Sequence, residues 1–332
     1  MIKKIMLQLV LLIWLTGFYQ PLTSQSFKNP VNKNASPEAK ALLKYLYTLQ
    51  GKSILSGQHN YPGEYTRSSD SIRSMTGKYP AIWGTDISEL SDELVQEAIK
   101  QYKNGSIITL MYHQVKPFDH DSLGYAGSVK GMVTDEQWEK IITPQSEYYN
   151  QLLYKIDQRA ELLKKLRDAN IPVLWRPYHE MNGMWFWYGN RPGSEGIQKL
   201  WKMMFDRYVN YHQLNNLIWV WNTNAPRDLK NDEAYAYELF YPGDTYVDIL
   251  AADVYNNDYK QSHHDQLVKL GKGKLISLGE VGNVPTPEIL KQQPQWAWFM
   301  VWAHFPWTHN TADIIRTLYN DPKVITKDEI KN

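Results

Sequence analysis

The chain has 332 residues and a formal net charge of +1. That length suits one large α/β domain, and the near-neutral balance argues against nucleic acid or an acidic membrane surface as partner. The absence of cysteine removes disulfides, thiolate nucleophiles and cysteine metal sites together.

In chain order, residues 1–24 read as a signal peptide. Lys3 and Lys4 precede an apolar run from Ile5 to Tyr19, and small residues follow at Thr23 and Ser24. The run is short for a membrane span, so export to the periplasm or the medium is expected, with an uncleaved anchor as the alternative. A lipoprotein anchor needs a cysteine that is missing. Residues 25–37 are expected to be an exposed lead-in, and 38–332 a single domain. Eight segments read as strands: Ser53–Asn60, Ala81–Ser88, Ser106–Gln114, Ile171–Glu180, Leu217–Asn224, Val247–Tyr255, Lys274–Gly282 and Ala297–Phe305. Most are apolar runs bounded by polar residues, the pattern of strands buried on both faces. Amphipathic helical patterns separate them: Asp92–Lys103, Tyr148–Ala169, Ser194–His212 with Ser194 as N-cap, Asp232–Phe240, His264–Leu270, Pro287–Gln292 and Thr311–Tyr319. Eight strands with intervening helices predict a (β/α)8 TIM barrel. A doubly wound open sheet is the alternative, but the first strand runs into SGQHN and not into a glycine-rich phosphate loop.

Barrel chemistry sits at the C-terminal strand ends, and these ends are polar: His59, Asp86, His113, His179 with Glu180, Asn222 with Asn224, Asp253 with Tyr255, Glu280, and Trp302 with His304. Glu180 and Glu280 close strands four and seven, which lie across the mouth of such a barrel. Two facing carboxyls suit glycosidic cleavage, one protonated to assist the leaving oxygen and one ionised to attack the anomeric carbon. Arg176 is placed to hold Glu280 ionised or to form a structural ion pair, and Tyr255 to donate a hydrogen bond to it. His113 and His179 are placed to contact sugar hydroxyls or the acid. The 13 tryptophans and 23 tyrosines serve either as core or as stacking surfaces. Trp185, Trp187 and Trp302 are the candidate sugar platforms, Trp187 having packing behind the loop as its alternative, and Phe186 is expected to pack.

The stretches RPYHEMNGMWFWYG (Arg176–Gly189) and LGEVG (Leu278–Gly282), with GQHN, YHQ, WVWN and DVY elsewhere, resemble the glycoside hydrolase family 26 β-mannanases over most of the chain. The resemblance implies a (β/α)8 barrel that cleaves β-1,4-mannosidic bonds with retention and needs no metal or other cofactor. It implies Glu180 as acid/base, Glu280 as nucleophile, and His113, His179, Trp185, Tyr255 and Trp302 as substrate contacts. Tyr188 departs from the tryptophan more usual there. The expected partner is β-mannan or manno-oligosaccharide, bound by a monomer without membrane insertion after signal cleavage. Some members act on β-1,3-xylan or mixed-linkage glucan, so those glycans are alternatives. Two other readings are a non-catalytic sugar-binding barrel and a zinc hydrolase using His59, His113, His179 and Asp253. Endo and exo action stay open.

Overall fold

The computed structural model describes residues 27–330; the expected signal peptide lies outside them. The elements are α1 (Pro37–Leu49), β1 (Ile54–His59), α2 (Arg67–Thr76), β2 (Ile82–Asp86), α3 (Asp92–Lys103), β3 (Ile107–Tyr112), α4 (Asp135–Ile142), α5 (Glu147–Asp168) and β4 (Val173–Pro177). Then come α6 (Ile197–Asp206), β5 (Leu217–Asn224), β6 (Ile249–Val254), α7 (Gln261–Gly271), β7 (Leu275–Val281), α8 (Pro287–Gln292), β8 (Trp296–Val301), α9 (Phe305–Thr308), α10 (Ala312–Tyr319) and β9 (Val324–Ile325). β1 to β8 pair in sequence order, all parallel, and β1 pairs with both β8 and β2, so the sheet closes on itself. Closure removes every edge among the eight. This is the expected (β/α)8 barrel. Among the described residues no helix is long and apolar enough to cross a membrane.

Two apolar layers hold the barrel. Inside it, Leu55, Ile82, Leu174, Ile218, Val220, Ile249, Trp298 and Met300 pack together, and α1 adds Ala39, Leu43, Leu46 and Tyr47 from below. A second, larger layer fills the space between strands and helices, and includes Trp175, Trp201, Trp219, Trp221 and Trp296. Many tryptophans are therefore core.

The lead-in corrects the sequence reading. Pro30, Asn32 and Ala35 are buried, the Val31 amide donates to Asp248 Oδ1 at 2.7 Å, and Ser36 caps α1 ahead of Pro37. Ser-Pro reads as a turn, but it also suits an N-cap and first helical position, and here it starts a helix that closes the barrel floor. Ser194 is not an N-cap either: α6 starts after Gly196 without a side-chain cap. The stretch expected as helix Asp232–Phe240 forms only one 3₁₀ turn, Tyr237–Leu239. An antiparallel bridge between Arg227 and Ala234 takes its first residues instead.

Candidate active site

β4 hydrogen-bonds as a strand only to Pro177, although its sequence continues extended to Glu180. Tyr178 and Glu180 adopt left-handed backbone, with φ of 49° and 56°. That region costs a non-glycine residue on the order of 1–3 kcal/mol, and it peels the chain off the ladder. The Glu180 amide then bonds to Asn222 O of β5 at 2.9 Å, which fixes the carboxyl over the barrel mouth. Glu280 stays within β7.

The two carboxyls have different partners. Glu180 Oε2 accepts from the Trp185 indole at 2.6 Å, and its Oε1 accepts from Asn224 Nδ2. Glu280 Oε1 faces Arg176 Nη2 at 3.3 Å, and its Oε2 accepts from the Tyr255 hydroxyl at 2.7 Å. Burial and then the negative Glu280 beside it push Glu180 up to about 7. Burial raises Glu280 too, but the Arg176 guanidinium, the Tyr255 hydroxyl and His113 pull against it. Glu280 is therefore the carboxyl better held in the ionised state, and Glu180 the one that keeps its proton towards neutral pH.

Asp253 is a third carboxyl in the same space. Its Oδ1 accepts from Asn222 Nδ2 at 2.7 Å, its Oδ2 has no protein partner, and burial with the Glu280 and Glu180 charges holds it well above the usual carboxylate range. Carboxyl oxygens of Glu180, Asp253 and Glu280 lie within 4.8 Å of one another, a spacing that can hold a cation. Yet every oxygen of the two glutamates already accepts from a protein donor, and Arg176 supplies the positive charge.

Arg176 is fully buried and also donates to Asn222 Oδ1 at 2.7 Å and to Gly279 O at 2.9 Å. Gly279 makes this cluster possible. A Cβ there would stand 2.0 Å from Asn222 Oδ1 and 2.7 Å from Asp253 Oδ1. Gly279→Ala is expected to cost about 1–3 kcal/mol by overpacking, and to lower activity more than stability, because Asn222 must move and it positions both Arg176 and Asp253. Thermal unfolding and kcat/KM on one preparation check this.

His113 and His179 meet edge to face at 4.5 Å. Asp86 Oδ2 bonds to His113 Nδ1 at 2.5 Å, leaving Nε2 as the free ring nitrogen. Burial pushes Asp86 up, but the charge and hydrogen bonds of His113 and Ser88 bring it below the usual range. Burial and nearby His113 and Arg176 hold His179 well below its usual value, so it is neutral; its Nε2 lies 4.0 Å from Glu280 Oε1.

The aromatics divide. Phe186, Trp187 and Tyr188 are buried. Trp187 donates to Gln114 O at 2.7 Å, and Tyr188 to His179 O at 3.1 Å. Trp187 is thus packing behind the loop and not a platform. Trp185 and Trp302 remain partly open. Trp302 stacks on His59 with ring centres 4.2 Å apart, and Tyr61 and His304 extend the aromatic surface beyond it. Of the predicted site residues, the structure brings His113, Arg176, His179, Glu180, Trp185, Tyr255, Glu280 and Trp302 to one barrel mouth. Sequence reasoning missed Arg227 and the part played by Asn222 and Asn224. Asn222 and Asn224 carried a signal, since residues two apart on a strand share a face; Arg227 carried none.

A closed parallel barrel with two carboxyls in unequal electrostatic settings at its mouth is a form shared by barrel glycosidases. The chain belongs to glycosyl hydrolase family 26, whose model matches residues 31–329. It is 35% identical over 330 residues to a mannan endo-1,4-beta-mannosidase of Thermothelomyces thermophilus, covering 93% of this chain and 64% of that protein. It is 30% identical to a protein of the same name from Bacillus subtilis, covering 100% of this chain and 98% of that one. Among solved structures, GH26A from Muricauda sp. MAR_2010_75 superposes with a TM-score of 0.89 at 48% identity, over 91% of this chain and 100% of that chain. The chain spans 64%, 50% and 49% of the length of the Thermothelomyces protein and two Piromyces relatives.

Proposed function

We propose that the protein is a retaining endo-β-1,4-mannanase acting on mannan, galactomannan or manno-oligosaccharides. The observation that carries the mechanism is the carboxyl pair, Glu180 and Glu280, with oxygens within 4.8 Å of each other in opposite electrostatic settings. So short an approach favours retention, because an inverting enzyme keeps its carboxyls farther apart to admit a water. In the first step Glu280 attacks the anomeric carbon, the glycosidic bond breaks, and the Glu180 proton passes to the departing oxygen. In the second, Glu180 takes a proton from water, the water oxygen bonds to the anomeric carbon, and the ester to Glu280 breaks. Trp185 and Trp302 offer flat surfaces for the apolar faces of sugar rings. The substrate rests on the printed activities of the relatives, and export rests on the basic and apolar N-terminal pattern.

The test is proton NMR of the first product from mannohexaose, run beside reducing-sugar release from mannan, galactomannan, β-1,3-xylan and mixed-linkage glucan. A β-configured new reducing end and a clear preference for the mannans are expected. An α-configured first product, or faster release from xylan or glucan, removes the reading.

The pH–rate profile on mannan is expected to be bell-shaped. Its alkaline limb falls near 7, where Glu180 loses the proton it must deliver. Its acid limb falls at lower pH, where Glu280 becomes protonated and can no longer attack. Initial rates at constant ionic strength between pH 3 and 10 check this, and a flat profile contradicts it.

A further inference from the structure

The loop that follows β5 carries a cation which the two-carboxyl mechanism does not use. Arg227 is only partly open, with 14% of its side chain exposed. Its Nε and Nη2 bond to Asp232 Oδ2 and Oδ1 at 2.8 and 2.5 Å. Its Nη1 bonds to Asn224 Oδ1, and the guanidinium lies 5.1 Å from the centre of the Trp185 ring. Backbone bonds between Arg227 and Ala234, at 2.9 and 3.0 Å, hold the loop in a narrow hairpin. Asn182 ties it to the β4 loop by accepting from the Asn224 amide at 2.7 Å and donating to Asn224 O and Tyr235 O at 2.8 Å.

Asn224 and Trp185 are the two side chains that hold the Glu180 carboxyl. We propose that Arg227 is a positioning residue for Glu180: by gripping Asn224 and lying over Trp185, it fixes the donors that aim the acid/base. The proposal rests on reading Glu180 as the acid/base.

The chemistry of Asn224 gives the contact its force. A carboxamide has a donor end and an acceptor end of nearly the same shape. Arg227 has only donors, so the Asn224 end it touches must be Oδ1, and Nδ2 is left to face Glu180. Without the guanidinium, the amide is free to turn and present its acceptor, which bonds only to a protonated carboxyl. The ring of Trp185 is confined on another side by Gly183, where a Cβ would lie 2.2 Å from a ring carbon. An ordinary exposed Arg–Asp pair contributes little, and it would not need the third contact to Asn224. Lysine cannot reproduce this grip, because one ammonium does not supply a planar fork to Asp232 together with a separate donor to Asn224.

The charge acts in the same direction. Glu180 is faced by Glu280 from β7, by Asp253 and Tyr255 from β6 and its end, by Tyr125 from the loop after β3, by Tyr188 from its own loop, and by Arg227. Of these, Arg227 is the cation that favours ionised Glu180.

The experiment compares wild type, Arg227→Met, Arg227→Lys and Glu180→Ala on β-mannan and on 2,4-dinitrophenyl β-mannobioside, whose leaving group departs without a proton. Arg227→Met is expected to move the alkaline limb up by about half a pH unit or more, since an attractive cation has gone. Its kcat/KM on mannan falls about tenfold or more, as proton delivery is misaligned, while kcat/KM on the dinitrophenyl substrate changes by less than about threefold. Arg227→Lys brings the limb back towards wild type but not the rate on mannan. Equal losses on both substrates, or an unmoved limb in an Arg227→Met protein with wild-type circular dichroism, overturn the proposal and leave Arg227 a loop brace. Glu180→Ala separates the two readings: if it loses the dinitrophenyl substrate as fully as mannan, the acid/base assignment itself has failed.

Discussion

Glu280→Gln is expected to lower kcat/KM on β-1,4-mannan by at least about 10⁴-fold, the scale seen when a nucleophile that works as part of a unit is removed. The amide has no charge with which to form the ester, and nothing else at the mouth replaces it. Asp253, a further acid within reach, is held well above the usual carboxylate range by burial and by its negative neighbours, which disfavours the charge an attack would need. Glutamine is the better choice than alanine for this test. Either substitution removes the counter-charge of buried Arg176, a loss of about 3–5 kcal/mol for a broken buried pair, but alanine also leaves a cavity and removes the oxygens that face Arg176 Nη2 and the Tyr255 hydroxyl. Glutamine keeps the volume and an oxygen, and Arg176 retains Asn222 Oδ1 and Gly279 O. A folded variant with unchanged far-ultraviolet circular dichroism and near wild-type turnover removes Glu280 from the nucleophile role.

Glu180→Ala has the second large effect, and its dependence on substrate is the diagnostic part. On mannan the departing sugar alkoxide needs a proton, so kcat/KM is expected to fall about 10²- to 10⁴-fold, the usual contribution of a general acid. On 2,4-dinitrophenyl β-mannobioside the first step needs no proton, and kcat/KM holds close to wild type. The second step still lacks its base, so the glycosyl ester accumulates. Added azide, which needs no base, then intercepts it and gives a β-mannobiosyl azide, read by thin-layer chromatography and NMR. Loss of both substrates alike, with no azide product, sinks the assignment.

Much of the fold was legible because a parallel barrel strand is buried on both faces and reads as an apolar run; all eight strands fall within or beside the expected segments. Helix ends were less legible. Thr134 and Gln137 form a capping box at the start of α4, a signal present in the sequence but passed over. The segment from Asp232 has helical spacing, yet the Arg227–Ala234 bridge and the Arg227–Asp232 pair override it. Such contacts join residues whose meeting is set by the barrel and not by local pattern. The same division applies at the site. Glu180 and Glu280 could be picked out as strand-end carboxyls, because the closed strand order sets the ends of β4 and β7 three strands apart around one mouth. The left-handed turn that aims Glu180, and the amide orientation of Asn224, depend on tertiary partners and leave no trace in residue spacing. Residue type alone does not tell Trp187 from Trp185, since both are aromatic in one loop, and only the family resemblance favoured Trp185; full burial and the bond to Gln114 O make Trp187 wall and not surface.

The aromatic loop after β4 is sewn by its backbone to the loop after β3. Gly131 N bonds to Trp185 O at 2.9 Å and Trp187 N to Val129 O at 3.1 Å, with a further bridge between Lys130 and Phe186. Behind Trp185 stand three buried rings that cannot rearrange without opening the core. Trp185 is therefore held in its pose before any glycan arrives. Ordering a mobile side chain on binding costs about 0.5–1.5 kcal/mol, and this surface avoids that loss of entropy. On the proposed function, the cleft wall is preorganised: the Trp185 surface is set by the fold before binding, and a glycan meets it without first having to order it.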